Sequence, residues 1–188
     1  MKIGVLALQG GYDLHRKLFN ILNVESVLVK YPNQLSTCNG LVIPGGESTS
    51  MSKQIQKYDF YRPIKSFAKK NPVFGTCAGL ILMSSYVSDP KIEQLDILNI
   101  EVERNSWGRQ INSFSKSFDV KLKNKINYDG VFIRAPKITS VKNNVKILAE
   151  IENEPVFIQD KNHLGAAFHP ELTGDTRIHE YFISLVKS

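Results

Sequence analysis

The sequence predicts an α/β fold, a mostly parallel sheet flanked by helices with an antiparallel strand insertion. Three observations lead there. In the first half, short apolar runs alternate with segments of helical periodicity, joined by short connections. From about residue 97, helical periodicity gives way to a succession of short strand-like runs. Near the end, a buried strand and an amphipathic helix return.

Taken in order, residues 3–8 form an apolar run that suits a strand buried on both faces. Leu14, Leu18, Ile21 and Leu22 recur at helical spacing, which predicts an amphipathic helix over 12–22. Residues 27–29 give a second strand, and Leu41-Val42-Ile43 a third, ended by Pro44-Gly45-Gly46. Ser48 or Thr49 is placed to cap a helix reaching Lys57. A further helix over 63–69 is stopped by Asn71-Pro72. Residues 72–75 lead as a strand into a turn at Cys77, and 78–86 form the following helix. In the insertion, 97–103, 114–122, 131–134, 145–150 and 155–159 read as strands, with Asn153-Glu154 as a hairpin turn. Residues 164–168 return to a buried strand. Ile178, Tyr181, Phe182, Leu185 and Val186 mark the closing helix, with Thr173 or Asp175 as candidate caps. No repeat, linker or low-complexity tract interrupts the chain, so residues 1–188 read as one domain.

A chain of 188 residues can bury a full core, and 42% hydrophobic with 22% charged residues is ordinary for a soluble globular protein. The apolar start is too short to span a membrane and lacks the basic lead and long apolar stretch of a signal peptide. Cys38 and Cys77, without a Cys-x-x-Cys pairing, argue against a disulfide framework and against a zinc site. A working thiol suits the reducing cytoplasm. The formal charge of +6 raises the question of nucleic acid. The lysines are dispersed, however, from Lys65 to Lys146, and no basic-aromatic signature accompanies them. A solvated basic surface is the reading, with an acidic patch on a protein partner left open.

The most informative segment is Phe74-Gly75-Thr76-Cys77-Ala78-Gly79-Leu80. A nucleophile at a sharp strand-to-helix turn needs glycines two positions either side, so that backbone can pass close to backbone. A helix starting at Ala78 would aim free N–H groups at the sulfur and favour thiolate. Far downstream, His169-Pro170-Glu171 offers a base and the group that orients it. If the strands are parallel, the turns after Ile43, Thr76 and Phe168 open at one sheet edge, where such folds place their sites. Gly45-Gly46 lacks the Gly-Lys-Ser/Thr of a P-loop and the third glycine of a dinucleotide fingerprint. Its N–H groups could instead join that of Ala78 in an oxyanion hole, each donor worth roughly 2.7–4 kcal/mol. The constellation points to acyl transfer through a thioester. Glu47, Arg104 and Arg134 are candidates for reading the substrate, with a structural salt bridge as the other account of each arginine. His15, His163 and His179 receive no role and read as solvated or capping residues, and Cys38 as non-catalytic.

Six segments then match a known family in order: Leu6-Ala7-Leu8-Gln9-Gly10, Pro44-Gly45-Gly46-Glu47-Ser48-Thr49, Gly75-Thr76-Cys77-Ala78-Gly79, Glu103-Arg104-Asn105-Ser106, Phe132-Ile133-Arg134-Ala135-Pro136 and Phe168-His169-Pro170-Glu171-Leu172. They resemble the glutaminase subunit of pyridoxal 5′-phosphate synthase, a class I (triad) glutamine amidotransferase. The resemblance implies a flavodoxin-like fold and hydrolysis of L-glutamine to glutamate and ammonia. It implies a catalytic triad of Cys77, His169 and Glu171, and a glutamine site lined by Gly46, Glu47, Ser48, Arg104, Ile133 and Arg134. It also implies a partner synthase that consumes the ammonia. No cofactor, metal, nucleic acid or membrane is expected. The residues by themselves leave open another triad amidotransferase with a different ammonia acceptor. They leave open, too, a flavodoxin-like cysteine hydrolase, which would not need both arginines to recognise a free amino acid.

Overall fold

A computed structural model describes residues 1–104, 113–142 and 144–188. The chain begins β1 (Lys2–Leu6), α1 (Tyr12–Ile21), β2 (Glu25–Val29), β3 (Gly40–Ile43), α2 (Ser48–Lys57), α3 (Tyr61–Ala68), β4 (Val73–Thr76) and α4 (Ala78–Met83). It continues β5 (Ser84–Val87), β6 (Leu98–Glu103), β7 (Ser113–Lys121), β8 (Lys125–Ile133), β9 (Lys137–Val141), β10 (Val145–Ile151), β11 (Glu154–Asp160), β12 (His163–Ala166) and α5 (Arg177–Lys187).

The main sheet has the order β10-β11-β12-β4-β3-β1-β2. From β2 to β12 all pairings are parallel, while β11 and β10 run antiparallel at one end. This is a flavodoxin-like α/β arrangement. β3, β4 and β12 are buried at every position, the mark of strands covered on both faces. The helices turn apolar faces to the same core: Phe19 from α1, Ile64 and Phe67 from α3, Ile178, Phe182 and Ile183 from α5. The insertion builds two smaller sheets, β5-β6-β9 and the ribbon β7-β8. An aromatic cluster ties the ribbon to the main sheet. Phe118, Tyr128 and Phe132 surround Phe168 with ring centroids 5.3 to 5.7 Å away, and Phe114 stacks on Phe132 at 4.7 Å.

Several elements differ from the sequence expectation, each for a local reason. The first strand ends at Leu6, where the chain leaves the sheet. The helix after Cys77 stops at Met83 rather than continuing to residue 86. There the Ser84 hydroxyl donates to Ile81 O at 2.8 Å, and a serine bonding back to the preceding turn competes with the helix. The chain then enters β5, which pairs in parallel with β6. α3 starts two residues before Pro63, because a proline in the first turn forfeits only an N–H that has no helical partner. The run 131–134 is the tail of the longer β8, and β9 beyond Pro136 was not anticipated. Residue 176, not Thr173 or Asp175, precedes α5.

Candidate active site

β4 delivers Cys77 at the edge of the sheet, and α4 starts at the next residue. Cys77 has φ 49° and ψ −102°, a backbone conformation that costs a non-glycine residue about 1–3 kcal/mol. It is held there by its N–H, which donates to Ala166 O at 2.8 Å, and by its own carbonyl, which accepts from Ile81 N–H at 3.2 Å. The flanking glycines show why no side chain fits. A Cβ on Gly75 would lie 2.7 Å from the Gly79 carbonyl, and one on Gly79 would lie 1.9 Å from Ile43 O. β4 thus packs against the first turn of α4, and that turn against the end of β3.

β12 is the neighbour of β4, with Ala166 opposite Thr76, so His169 emerges beside Cys77. The His169 N–H donates to Val131 O of the ribbon at 2.8 Å. Its Nδ1 lies 2.7 Å from Glu171 Oε1. The Cε1–Nδ1 edge of the ring rests on Gly45, where a Cβ would meet Cε1 at 2.4 Å and Cys77 Cβ at 3.4 Å. That leaves Nε2 for the sulfur. Burial works against a charged His169, but the hydrogen bonds to Cys77 and to the Glu171 carboxylate outweigh it and push its pKa up to about 10. Burial likewise opposes ionisation of Glu171, yet His15 and His169 facing it hold its carboxyl below the usual range. The balance of these contacts favours a protonated His169 ring.

The loop after β3 forms the opposite wall. The Gly11 N–H donates to Gly45 O at 3.1 Å, and the Glu47 N–H donates to Gln9 Oε1 at 3.2 Å. Gly10, at φ +90°, has to be glycine on two counts, since a Cβ there would also sit 1.8 Å from Gly45 O. The cap of α2 is Glu47 rather than Ser48 or Thr49. Its carboxylate accepts from the N–H groups of Thr49 at 3.1 Å and Ser50 at 2.7 Å. Burial opposes ionisation of Glu47, but these bonds and Arg104 hold its pKa below normal. Ser48 is buried in the first turn.

The two arginines part company. Arg104 pairs with Asp89, with Glu47 at 3.2 Å and with the Thr49 hydroxyl at 3.0 Å, while still lining the cavity. It braces the cap of α2 from the rim of the site. Arg134 is exposed, sits at φ 44°, and has no ion pair among the described residues.

A cavity of about 510 Å³ opens between these walls, within the range of small-molecule sites. Gly46, Glu47, Ser48, Cys77, Arg104, Ile133, Arg134 and His169 all line it. Ala78 and Glu171 lie behind the surface, next to the sulfur and the imidazole respectively. The sequence reading missed two lining residues. Ile81 is one turn beyond Cys77 on α4 and was findable from that spacing. Ser113 carried no signal; it enters because β7 pairs it with Ile133. Asn105, Ser106 and Trp107 lie outside the described residues.

A family model for the SNO glutamine amidotransferase family matches residues 5–188. The chain belongs to that family. The amidotransferase is 45% identical to the pyridoxal 5′-phosphate synthase subunit PdxT of Thermosipho africanus, over all of both chains. It is 47% identical to the protein of the same name from Oenococcus oeni, covering all of this chain and 97% of that one. Among solved structures, a crystal structure of a glutamine amidotransferase superposes with a TM-score of 0.94 at 35% identity, covering 99% of each chain. The structure of PurLQS from Thermotoga maritima shares the fold, with a TM-score of 0.72 at 12% identity over 97% of each chain.

The histidines given no role require correction. In the amidotransferase, His15 and His179 are fully buried and His163 is 6% exposed. His163 Nδ1 accepts the Val73 N–H at 3.1 Å and so anchors the start of β4. Burial pushes its pKa down to about 4. His15 and His179 lie behind Glu171, 2.9 Å from each other. A polar side chain at an inward position of an amphipathic helix was the available signal, since Leu14 and Leu18 flank His15 and Ile178 and Phe182 flank His179. Among the described residues, no helix is long and apolar enough to cross a membrane.

Proposed function

We propose that the chain hydrolyses L-glutamine to L-glutamate and ammonia and delivers the ammonia to a partner synthase that makes pyridoxal 5′-phosphate. It would do so in the cytoplasm, as a single amidotransferase domain spanning residues 1–188. One observation carries the reading: a strained cysteine elbow and a His–Glu pair meet at adjoining strand ends, facing one cavity. The full-length kinship to PdxT subunits supplies the acceptor.

In the first half-reaction, Cys77 attacks the side-chain amide carbon of glutamine. The C–S bond forms and the carbonyl oxygen becomes an oxyanion, received by the N–H groups of Ala78 and Gly46. His169 gives its proton to the amide nitrogen, the C–N bond breaks and ammonia leaves. Acylation removes the sulfur charge that had favoured the protonated ring. After acylation, His169 is therefore free to act as a base. It then takes a proton from water, the hydroxide adds to the thioester, and the C–S bond breaks to release glutamate. Glu171 keeps the Nδ1–H in place throughout. Gly46, Glu47, Ser48, Arg104, Ile133 and Arg134 form the glutamine site, with Arg134 supplying a charge for the free α-carboxylate.

Ammonia made without an acceptor is wasted, so turnover is expected to be low alone and higher with the synthase. The Gly45–Gly46 peptide is the natural switch. Its carbonyl is tied to the Gly11 N–H, and turning Gly46 N–H over must break that bond. The test is to measure glutamate and ammonia from glutamine with and without the synthase, for wild type and Cys77→Ala. Glutamate release by Cys77→Ala at the wild-type rate excludes the thioester route. Equal wild-type turnover with and without the partner excludes the switch.

A further inference from the structure

The triad does not end at Glu171. Its Oε1 serves His169, but Oε2, buried with the rest of the side chain, has no hydrogen-bond partner among the described residues. The group facing Oε2 is His15 Nε2, at 3.4 Å. That nitrogen is also 3.4 Å from the Thr76 hydroxyl of β4. The other ring nitrogen, Nδ1, lies 2.9 Å from His179 Nε2 on α5. Beyond it the series stops, since His179 Nδ1 is buried without a partner among the described residues. Two aromatic rings close the compartment, Phe74 edge-on to both imidazoles and Phe19 against His179.

One placement of protons suits this geometry best. If His15 carried its proton on Nδ1 and gave it to His179, its bare Nε2 lone pair would face a carboxylate oxygen, with the Thr76 hydroxyl as its donor at 3.4 Å and Glu171 Oε2 left without one. His179 would then have to bury an unpaired N–H, the costlier kind of orphan. In the opposite tautomers, His179 Nε2–H donates to His15 Nδ1, and His15 Nε2–H faces Glu171 Oε2 and the Thr76 hydroxyl, each at 3.4 Å. The single orphan left is an acceptor lone pair on His179. Every donor then points the same way, from α5 through α1 to Glu171, where the His169 Nδ1–H arrives from the other side. Burial pushes the pKa of both inner histidines down, which keeps them neutral and able to act as one donor and one acceptor each. Three or more such groups converging as metal ligands do not occur among the described residues.

We propose that His15, with its tautomer fixed by His179, is a positioning residue for glutaminase chemistry: it holds the second oxygen of Glu171 so that the first stays aimed at His169. This rests on the glutaminase reading above. Two measurements test it. In the wild-type protein, ¹⁵N NMR of the imidazoles should show His15 neutral with its proton on Nε2 at neutral pH. An Nδ1–H tautomer or an imidazolium at His15 overturns the proposal, whatever the activity. In the complex with the synthase, His15→Phe should lower kcat about tenfold to a hundredfold, short of the ~10⁴ lost with a wrong triad tautomer. KM for glutamine should change less than about threefold, the His169 Nδ1–H resonance should move upfield, and the pH–rate profile should shift. His15→Gln, whose amide N–H₂ can occupy the Nε2 place, should recover most of kcat. Equal losses in Phe and Gln variants, with His169 resonance and pH profile unmoved, overturn the proposal in favour of a packing role. Absence of glutaminase activity in the wild-type complex defeats the parent reading instead, and leaves the tautomer measurement standing.

Discussion

Glu171→Gln probes the electrostatics of the proposed triad, because it keeps the shape of a side chain that is 2% exposed and removes its charge. The rise of His169 from its ordinary 6.5 to about 10 corresponds to about 5 kcal/mol of preference for the protonated ring, at about 1.4 kcal/mol per unit. Cys77 and Glu171 share it. If the carboxylate supplies about half, losing it costs roughly 2–3 kcal/mol where the imidazolium forms, or about 10²-fold in the step in which His169 takes a proton from water. The amide brings a second loss. The NH₂ of the introduced glutamine can donate to His169 Nδ1, which drives the ring proton onto Nε2 and leaves no base toward the sulfur. A triad carrying that wrong tautomer loses ~10⁴ in kcat. The expected fall therefore lies between about 10² and 10⁴. The assay is steady-state glutamate release in the presence of the synthase, with kcat and KM separated and folding checked by circular dichroism. A kcat within about threefold of wild type, with an unchanged pH profile, would refute the reasoning.

Other outcomes follow from the same geometry. Cys77→Gly and Cys77→Ala should both be inactive, but the glycine variant should be more stable by about 1–3 kcal/mol, since only glycine relaxes at φ 49°; denaturant unfolding decides, and an alanine variant of equal stability contradicts the strain. Acid should destabilise the fold through His163. Its folded pKa of about 4 lies below 6.5, so the unfolded chain binds the extra proton between those values, and about 3 kcal/mol is lost as pH falls from 6.5 to 4. His163→Asn should flatten that limb in pH-dependent melting, and an unchanged slope counts against it. His169 has the opposite sign: its stabilisation is complete below pH 6.5 and lost as pH rises through about 10, so Glu171→Gln should lose part of that alkaline limb. Arg134→Ala should raise KM for glutamine about 10- to 100-fold, the worth of one charge-assisted bond, while leaving circular dichroism unchanged; an unaltered KM removes it from the glutamine site.

Much of this was legible in the chain because backbone constraints leave residue-level traces. Gly75 and Gly79 announced the elbow, and the structure supplies the atoms they avoid, Gly79 O and Ile43 O. The apolar four-residue strands announced the parallel sheet, because covered strands have no polar face to alternate. What stayed hidden depends on contacts between distant segments. Helical periodicity runs through Ser84, yet β6 recruits the following residues into a strand. Arg104 met Asp89 and Glu47, partners that neighbouring sequence does not name. The inner histidines are barely legible in sequence because a titratable side chain reads as surface until a second buried one is found to face it. His15 and His179 are 164 positions apart.

Division of labour is the lasting consequence of the β7–β8 ribbon. The reacting groups stand on the main sheet, whereas Ser113, Ile133 and Arg134, three of the surfaces a bound molecule would touch, belong to an appendage fastened by stacked rings. Exchanging that hairpin would change part of the cavity wall and leave Cys77, His169 and Glu171 on their own elements. The joint between the two is narrow: the carbonyl of Ile133 reaches within 3.7 Å of the sulfur, and Val131 holds the backbone of His169. A transplanted hairpin that keeps those two carbonyls in place should still cut an amide, though of a different molecule.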